Sequence, residues 1–455
     1  LFHRTRWGVL LRAATEDREM AAALGVDQRR LFTAVLFLGA ALAGLGGALQ
    51  LPRAPVNLGM DLDIIVEAFV VVVVGGMGSI PGAFLAAVLI GELSAFGIVI
   101  FPQITLVLLF LIMAVVLVLR PRGLLGRAEP AEAPGAIPEP PLTPGGSLAH
   151  LVGLSTVALL ALAPLFAGDF LLGVATEILI FALFAASLQF IMGIGGMISF
   201  GHAAYLGLGA YGAALLVEHF GLPMELSLLA APLAAGLGAL VFGWFCVRLT
   251  GVYMAMLTLA FAQIVWSAAF QWVALTGGDN GILGVWPSDW ASAPEPFYLF
   301  TLALVSLAIL VLRRAVFAPF GYALRAGRDS PRRAAAIGID LHRRRWLGFA
   351  LAGTCAGLSG GLYAFLKGSV FPDVLAIPLS IDGLVMVLLG GVQTLTGPLA
   401  GAALFTGLEA ELINRTDLWR GIVGVVIIVL CIAFPLGIGG NLRRLAEARG
   451  ARPAS

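Results

Sequence analysis

The chain has 455 residues, 60% of them hydrophobic and 12% charged, with a formal net charge of +1 and a mean hydropathy of +1.00. Soluble domains carry about 25% charged residues, so this composition excludes one, and a near-neutral balance points to neither nucleic acid nor an acidic partner. Three scattered cysteines, Cys246, Cys355 and Cys431, exclude a disulfide framework and show no metal-type spacing.

The N-terminal stretch is rich in Arg between residues 4 and 30. Apolar runs come next, near 31–51, 63–74, 83–100 and 104–119. A helix crosses a bilayer with about 17–25 residues, so four spans are expected, some of them short. No cleavable signal peptide is visible, and Leu1 stands where an initiator Met would, which leaves the natural start open. Residues 128–147 then turn Pro-, Ala- and Glu-rich, which predicts a semi-rigid linker without a core. Six more spans are expected near 149–167, 170–192, 197–217, 224–247, 251–275 and 297–312. A second Arg-rich segment covers 313–345, and four further spans lie near 346–366, 381–394, 398–414 and 421–436. The segment 441–455 reads as a tail.

Charge placement orients these spans. Arg is dense at 4–30, 120–127, 313–345 and 443–452, whereas 276–296 has no Lys or Arg and two Trp. The positive-inside rule puts the Arg-rich loops and both termini in the cytoplasm and 276–296 outside. Four spans and then six return the chain to the cytoplasm each time. The expected fold is therefore an all-α polytopic membrane protein.

An internal repeat refines that expectation. Residues 8–25 (GVLLRAATEDREMAAALG) match 321–338 (GYALRAGRDSPRRAAAIG). At one constant offset, Gly8, Leu11, Arg12, Ala13, Gly25 and Asp27 meet Gly321, Leu324, Arg325, Ala326, Gly338 and Asp340. GGMGSIPG (75–82) answers GGVQTLTG (390–397), and RPRGLLG (120–126) answers FPLGIGG (434–440). Both Arg-rich copies fall on one side of the membrane, so the two related helical modules are expected in parallel orientation. Each copy should hold a short helix. In the second, Ser330 is the expected cap, Pro331 the first position and Gly338 the end; in the first, Thr15 is the expected cap, Glu16 and Asp17 fill the first turn and Gly25 ends the run. Such helices suit docking into a groove or lying among headgroups.

At these residues the chain resembles the permease subunits of ABC importers for branched-chain amino acids. Two permease types pair in that family, and this chain looks like both fused. Residues 1–127 resemble the C-terminal half of the first type, through RTRWGVLLRAATEDREMAAALGVD, AFVVVVVGGMGSIPGAFLAAVLIGE and LVLRPRGLLG. Residues 148–440 resemble nearly all of the second, through SLQFIMGIGGMISFGHAAYLGLGAYGAALL, GVYMAMLTLAFAQIVW, TGGDNGI, PFGYALRAGRDSPRRAAAIGID and VLLGGVQTLTGPLAGAAL. The resemblance implies an ABC importer transmembrane-domain fold, two cytoplasmic ATPase subunits, a soluble amino-acid-binding protein outside, and no catalysis or cofactor in the chain itself. The only lysine, Lys367, comes after Leu366, so no Gly-Lys-Ser/Thr phosphate loop exists. The short helices at 15–25 and 330–338 would couple to the ATPases through Arg18, Glu19, Ala21, Ala22, Gly25, Arg332, Arg333, Ala335 and Gly338. The first type's N-terminal half has no counterpart in this sequence. A longer form of the chain or a separate polypeptide is expected to supply it, and the chain alone is not expected to form a competent translocator.

Candidate pathway residues are Gln189, Ser199, Gly201 and His202, around a Gly-rich stretch that permits close helix packing or a break beside a cavity, and Asn280 in the outer loop. A packing seam with an incidental His reads the same residues equally simply. Glu67, Glu92, Glu177 and Gln263 fall in or near apolar spans, with no paired partner evident from spacing. The paired glycine motifs read as discontinuous helices or as plain tight turns. Permeases for urea or short amides share the motif set. A secondary transporter would show inverted repeats and intramembrane charge pairs, and a membrane-embedded enzyme would cluster its His and carboxylates; the five His here are scattered.

Overall fold

A computed structural model describes residues 5–52, 55–57, 60–100, 105–126, 147–434 and 437–441. The expected linker and tail lie outside these residues apart from Ser147 and Asn441. All fourteen expected apolar segments are helical. They are α3 (Gln28–Gln50), α4 (Met60–Gly75), α5 (Ile80–Ile100), α6 (Thr105–Leu119), α7 (Ser147–Ala161), α8 (Asp169–Gln189), α9 (Ala203–Phe220) and α10 (Met224–Cys246), then α11 (Gly251–Gln271), α13 (Pro294–Phe317), α16 (Leu341–Lys367), α17 (Ile377–Gly390), α18 (Gly397–Ile413) and α19 (Trp419–Ala433). In lipid only a helix satisfies its own backbone groups segment by segment, which is why apolar runs rich in Leu, Ala and Gly take this form. Among the described residues eight helices are long and apolar enough to cross a membrane. The chain is an all-α, multi-pass membrane protein, with one addition: β1 (Ile282–Leu283) pairs antiparallel with β2 (Ser369–Val370).

Several boundaries differ from expectation by a few residues, and three of the differences are informative. The span expected at 197–217 begins as a helix only at Ala203, because Gly195, Gly196 and Gly201 break the chain after a π-helical turn at Phe190–Ile194. The span expected at 251–275 stops at Gln271, and α12 (Val273–Thr276) continues it. The cap expected at Thr15 is Asp17. Thr15 belongs to α1 (Arg6–Glu16), where its hydroxyl donates to the Arg12 carbonyl at 2.8 Å, while the Asp17 carboxylate accepts from Met20 N at 2.9 Å and starts α2 (Arg18–Ala23).

The repeat is structural. α1 and α2 have 11 and 6 residues, as do α14 (Pro319–Asp329) and α15 (Pro331–Ala336). Gly25 and Gly338 come next in left-handed backbone, at φ +83° and +85°. Asp27 then caps α3 by accepting from Arg30 N at 3.1 Å, and Asp340 caps α16 by accepting from Arg343 N at 3.1 Å; each aspartate also pairs with its arginine's Nε at 3.1 Å. Ser330 precedes α15, but its side chain makes no capping bond.

By compactness the chain divides within α4 into residues 1–69 with 127–141, and residues 70–126 with 142–455. In the first unit Ala14, Ala21 and Leu31 pack together with Trp7, Leu11, Val26 and Phe32. In the second, α8 is central, packed by α13, α16, α17 and α18, and α9, α10 and α16 form a tight trio. Small residues let these backbones meet. A Cβ on Gly360 would lie 1.8 Å from Leu206 O, and one on Gly209 would lie 2.1 Å from Gly357 O. α6 packs along α11 in the same unit.

Both glycine motifs form tight turns between helices, each closed by a later segment of its own copy, through Gly123–Gly126 in the first and Gly437 and Gly439 in the second. Leu124 N and Leu125 N donate to Val74 O and Gly75 O, at 2.8 and 3.0 Å. Gly76 (φ +100°) and Gly123 (φ +75°) face each other there, as Gly391 (φ +108°) and Gly437 (φ +72°) do in the second copy. A Cβ on Gly437 would lie 2.3 Å from Gly391 Cα. Gly437→Ala should therefore cost about 2–4 kcal/mol, from the left-handed backbone and the overpacking together. Gly407→Ala, in open space on α18, should be neutral or up to about 1 kcal/mol stabilising. Thermal unfolding in detergent checks both. Asp340→Ala should cost about 1 kcal/mol through the lost cap, whereas Ser330→Ala should leave the melting temperature unchanged.

Candidate functional site

The two short helices expose corresponding residues. Ala21 and its counterpart Ala334 are buried, while Arg18, Glu19, Ala22 and Gly25 on one copy and Arg332, Arg333, Ala335 and Gly338 on the other are exposed. The most exposed bulky side chains of these two segments are a pair that the expected coupling set left out. Leu24 is 77% exposed and Ile337, at the same offset, is 76% exposed. An aliphatic residue left exposed at the same place in both copies of a repeat is a candidate contact point. The signal was in the sequence, since the two align and each precedes the left-handed glycine. Beside each knob lies a cavity. In the first unit it measures about 550 Å³ and is lined by Trp7, Leu24, Gly25, Asp27 and Arg30; in the second it measures about 520 Å³ and is lined by Trp244, Asp340, Arg343 and Trp346.

The second knob is tied to the helix ends beside it. Arg328, on the last turn of α14, pairs with Asp329 at 2.8 Å, donates to Gly193 O in the π-helical turn, and donates to Gln393 Oε1 at 3.2 Å in the 390–397 turn. Its stem covers Gly196, where a Cβ would lie 2.5 Å from Arg328 Cγ. Gln189 completes the tie by donating from Nε2 to Val392 O at 2.9 Å. α14, the end of α8 and the α17–α18 turn are thus one hydrogen-bonded unit, and sequence reasoning did not single out Arg328. A π-helical turn puts an extra residue in the helix and re-aims the residues beyond it.

Past that turn the structure brings Ser199, Gly201 and His202 together. His202 Nε2 lies 2.8 Å from Ser187 Oγ, and its ring packs on Phe184 and Tyr205 at centroid distances of 5.3 and 5.8 Å. Gly201 abuts α11, where a Cβ would lie 2.0 Å from Thr258 O, and Phe200 N donates to Thr258 Oγ1 at 3.1 Å. Ala203 N, at the start of α9, donates to Ser380 Oγ of α17 at 2.9 Å. The Ser199 hydroxyl and His202 Nδ1 are buried without a hydrogen-bond partner among the described residues. Five segments therefore converge on a buried polar knot. Asn280 is not part of it. It is exposed beyond the C-terminal end of α11, a helix that runs about 20 Å past Thr258 at 1.5 Å per residue.

Glu177, for which sequence spacing shows no partner, forms an ion pair with Lys367 Nζ at 2.8 Å. The two are far apart in sequence, so no spacing rule connects them. Glu92 is exposed and Gln263 buried. The loop expected outside is ordered by Glu225, which accepts from Trp290 Nε1 and from Ser288 Oγ at 3.1 Å.

The family model described as the permease component of the branched-chain amino acid transport system matches residues 1–117 and 170–431. The high-affinity branched-chain amino acid transport system permease protein LivM of Escherichia coli is 26% identical over 315 residues, which are 63% of this chain and 74% of that protein. BraD of Pseudomonas aeruginosa, described in the same words, is 38% identical over 128 residues, 28% of this chain and 42% of its own length. LivH of Salmonella typhimurium is 32% identical over 135 residues, 28% of this chain and 41% of its own length. No solved structure matches the chain. With the family model covering most of its length, this chain belongs to the branched-chain amino acid transport system permease family.

Proposed function

We propose that this chain is a membrane component of an ATP-binding-cassette importer that carries branched-chain or similar hydrophobic amino acids into a prokaryotic cell. Residues 1–127 would be the C-terminal half of one permease module and residues 148–440 a nearly complete second module. Relatives named LivM match over a long stretch and relatives named BraD and LivH over a short one, which supports two permease types in one polypeptide. The Arg-rich segments and both termini face the cytoplasm in this reading. A binding protein delivers the amino acid from the other side, and another polypeptide or a longer form of this chain completes the first module.

The observation that carries the proposal is the duplicated knob. Two copies share helix lengths, a buried alanine, a left-handed glycine, an Asp–Arg cap and a water-exposed aliphatic residue. Each would seat on one ATPase subunit, with Leu24 and Ile337 as apolar contacts and Arg18, Arg332 and Arg333 reaching acidic rims. Arg328 would then carry the movement of α15 into the end of α8 and the 390–397 turn. Hydrolysis itself belongs to the ATPases.

Co-purification with co-expressed ABC ATPase subunits tests this. Leu24→Asp together with Ile337→Asp should reduce recovery of the ATPases at least tenfold while leaving the melting temperature of the permease unchanged. Gly25→Arg with Gly338→Arg should also reduce recovery, with a stability cost of about 1–2 kcal/mol per site from the left-handed backbone. Undiminished recovery from both pairs would remove the docking role.

A further inference from the structure

The cavity beside the second knob lies where two apolar helices of spanning length end together. Trp244 comes two residues before Cys246, the last residue of α10, and His342 and Arg343 lie in the first turn of α16. The Trp346 indole N–H donates to Leu240 O at 2.8 Å and ties the two helices at this level. Trp244 meets Trp346 and His342 edge-on, with ring centroids 5.1 and 4.8 Å apart, and the Arg248 guanidinium lies 4.9 Å from the centre of the Trp244 ring. Trp244, His342, Arg343 and Trp346 line the cavity of about 520 Å³ together with Asp340 and Leu347.

This chemistry suits a ligand that is anionic at one end and apolar at the other. Tryptophan beside arginine at the end of a span is what a membrane–water boundary selects, since the ring is amphipathic. Among the described residues Asp340 is the one acid lining the cavity, and its carboxylate is already engaged by Arg343 N and Nε, each at 3.1 Å. The Arg343 side chain is still 78% exposed, and Arg248 is exposed as well. Guanidinium groups hold phosphate through paired N–H donors. An apolar track leads away from these charges. Leu233, Leu237, Val241 and Trp244 are exposed on α10 at spacings of four, four and three residues, which places them on one stripe, and Arg248 follows four residues later. Along that stripe hydrocarbon gives way to an aromatic ring and then to a positive charge. Acyl chain, glycerol and phosphate follow the same order in a phospholipid.

The first copy repeats the place. Asp27, Arg30 and Ala34 line its cavity where Asp340, Arg343 and Leu347 line the second, at the one offset that relates the two knobs, and Trp7 supplies an aromatic ring. The recurrence makes the cavity a property of the repeat rather than an accident of packing.

We propose that the cavity between the ends of α10 and α16 binds the headgroup of an anionic bilayer phospholipid. The phosphate meets Arg343, with Arg248 and His342 beside it. The Trp244–Trp346 pair covers the glycerol, and one acyl chain runs along Val241, Leu237 and Leu233. Basic pockets between helix ends distinguish an anionic headgroup from a zwitterionic one by net charge. The bound lipid braces the first turn of α16 just past the left-handed Gly338, where the knob joins the span. The site requires these helix ends to lie at the bilayer surface and is independent of what the chain carries.

Native mass spectrometry of the full chain tests the site, with release from detergent micelles holding equal amounts of dioleoyl phosphatidylglycerol and dioleoyl phosphatidylcholine. The wild-type chain should retain phosphatidylglycerol with at least fivefold preference. Phosphatidylglycerol should also raise its melting temperature above that in phosphatidylcholine, as a ligand of the folded state does. Arg248→Gln with Arg343→Gln should retain one phosphatidylglycerol fewer per chain. Arg415→Gln, which removes the same charge from an exposed pair with Glu411, should retain as many as the wild type. If the double variant melts lower in phosphatidylcholine alone, Arg343→Lys takes its place; it keeps the charge, loses the paired donors and should weaken retention several-fold. Equal retention of the two lipids by the wild-type chain would mark an ordinary lipid-facing surface and overturn the site. An unchanged phosphatidylglycerol count in the arginine variants would overturn it too, as would displacement of the lipid by millimolar inorganic phosphate.

Discussion

Close approach of backbone to backbone is the constraint on which the rest of this structure depends. Lipid tails are as apolar as leucine, so helices in a bilayer gain little by hiding apolar surface from each other and associate through packing. In the second unit that packing is built on glycine. The α9–α16 contact has Gly360 against Leu206 and Gly209 against Gly357, and the same helix sets Gly353 and Gly357 against Ala239 and Ala235 of α10. Any side chain at these points would push whole helices apart. The trio they hold presents α9, whose N-terminal turn is fixed by Ser380, to α11 and α17. The buried knot around His202 exists because those helices are held at that separation.

The second consequence is mechanical. Glycine turns at 75–82 and 390–397 are each gripped by a later segment, so two helix pairs end in stiff corners rather than pliant loops. One of these corners is bonded to Arg328 and Gln189, and so to the π-helical turn and to α14. Rigid elements with few, directional links move as bodies. Displacement of the exposed helix at Pro331–Ala336 would thus be passed to the helix ends rather than absorbed between them.

Much of this was legible in the sequence, because composition and apolar run length dictate where helices form in lipid, and a constant offset exposes a duplication. All fourteen apolar segments and the Gly25 and Gly338 stops come from local rules. The features that escaped needed information that local rules lack. Thr15 and Asp17 are both good capping residues, and the choice fell to Asp17 once the Thr15 hydroxyl turned back to the Arg12 carbonyl. The irregular start of α9 stems from a π-helical turn whose extra residue no periodic pattern announces. The Glu177–Lys367 pair joins α8 to the end of α16, and the Arg328 tie joins three segments; both are set by tertiary packing across long stretches of chain. Ser199, Gly201 and His202 meet in one knot because a Gly-rich run is itself a packing signal, whereas Gln189 turns to Val392 in the 390–397 turn and Asn280, chosen for its place in a polar loop, lies apart.

Lys367 has a chemical consequence of its own. Every other basic side chain of strong charge in this polypeptide is a guanidinium, so a reagent selective for amines has one side chain to find, at the mouth of α16, with a carboxylate and an aromatic ring as immediate neighbours. Acylation there would erase a charge without adding a scar anywhere else along the backbone, and an endoproteinase that cuts after lysine would sever the chain once, between a long helix and the β1–β2 pair.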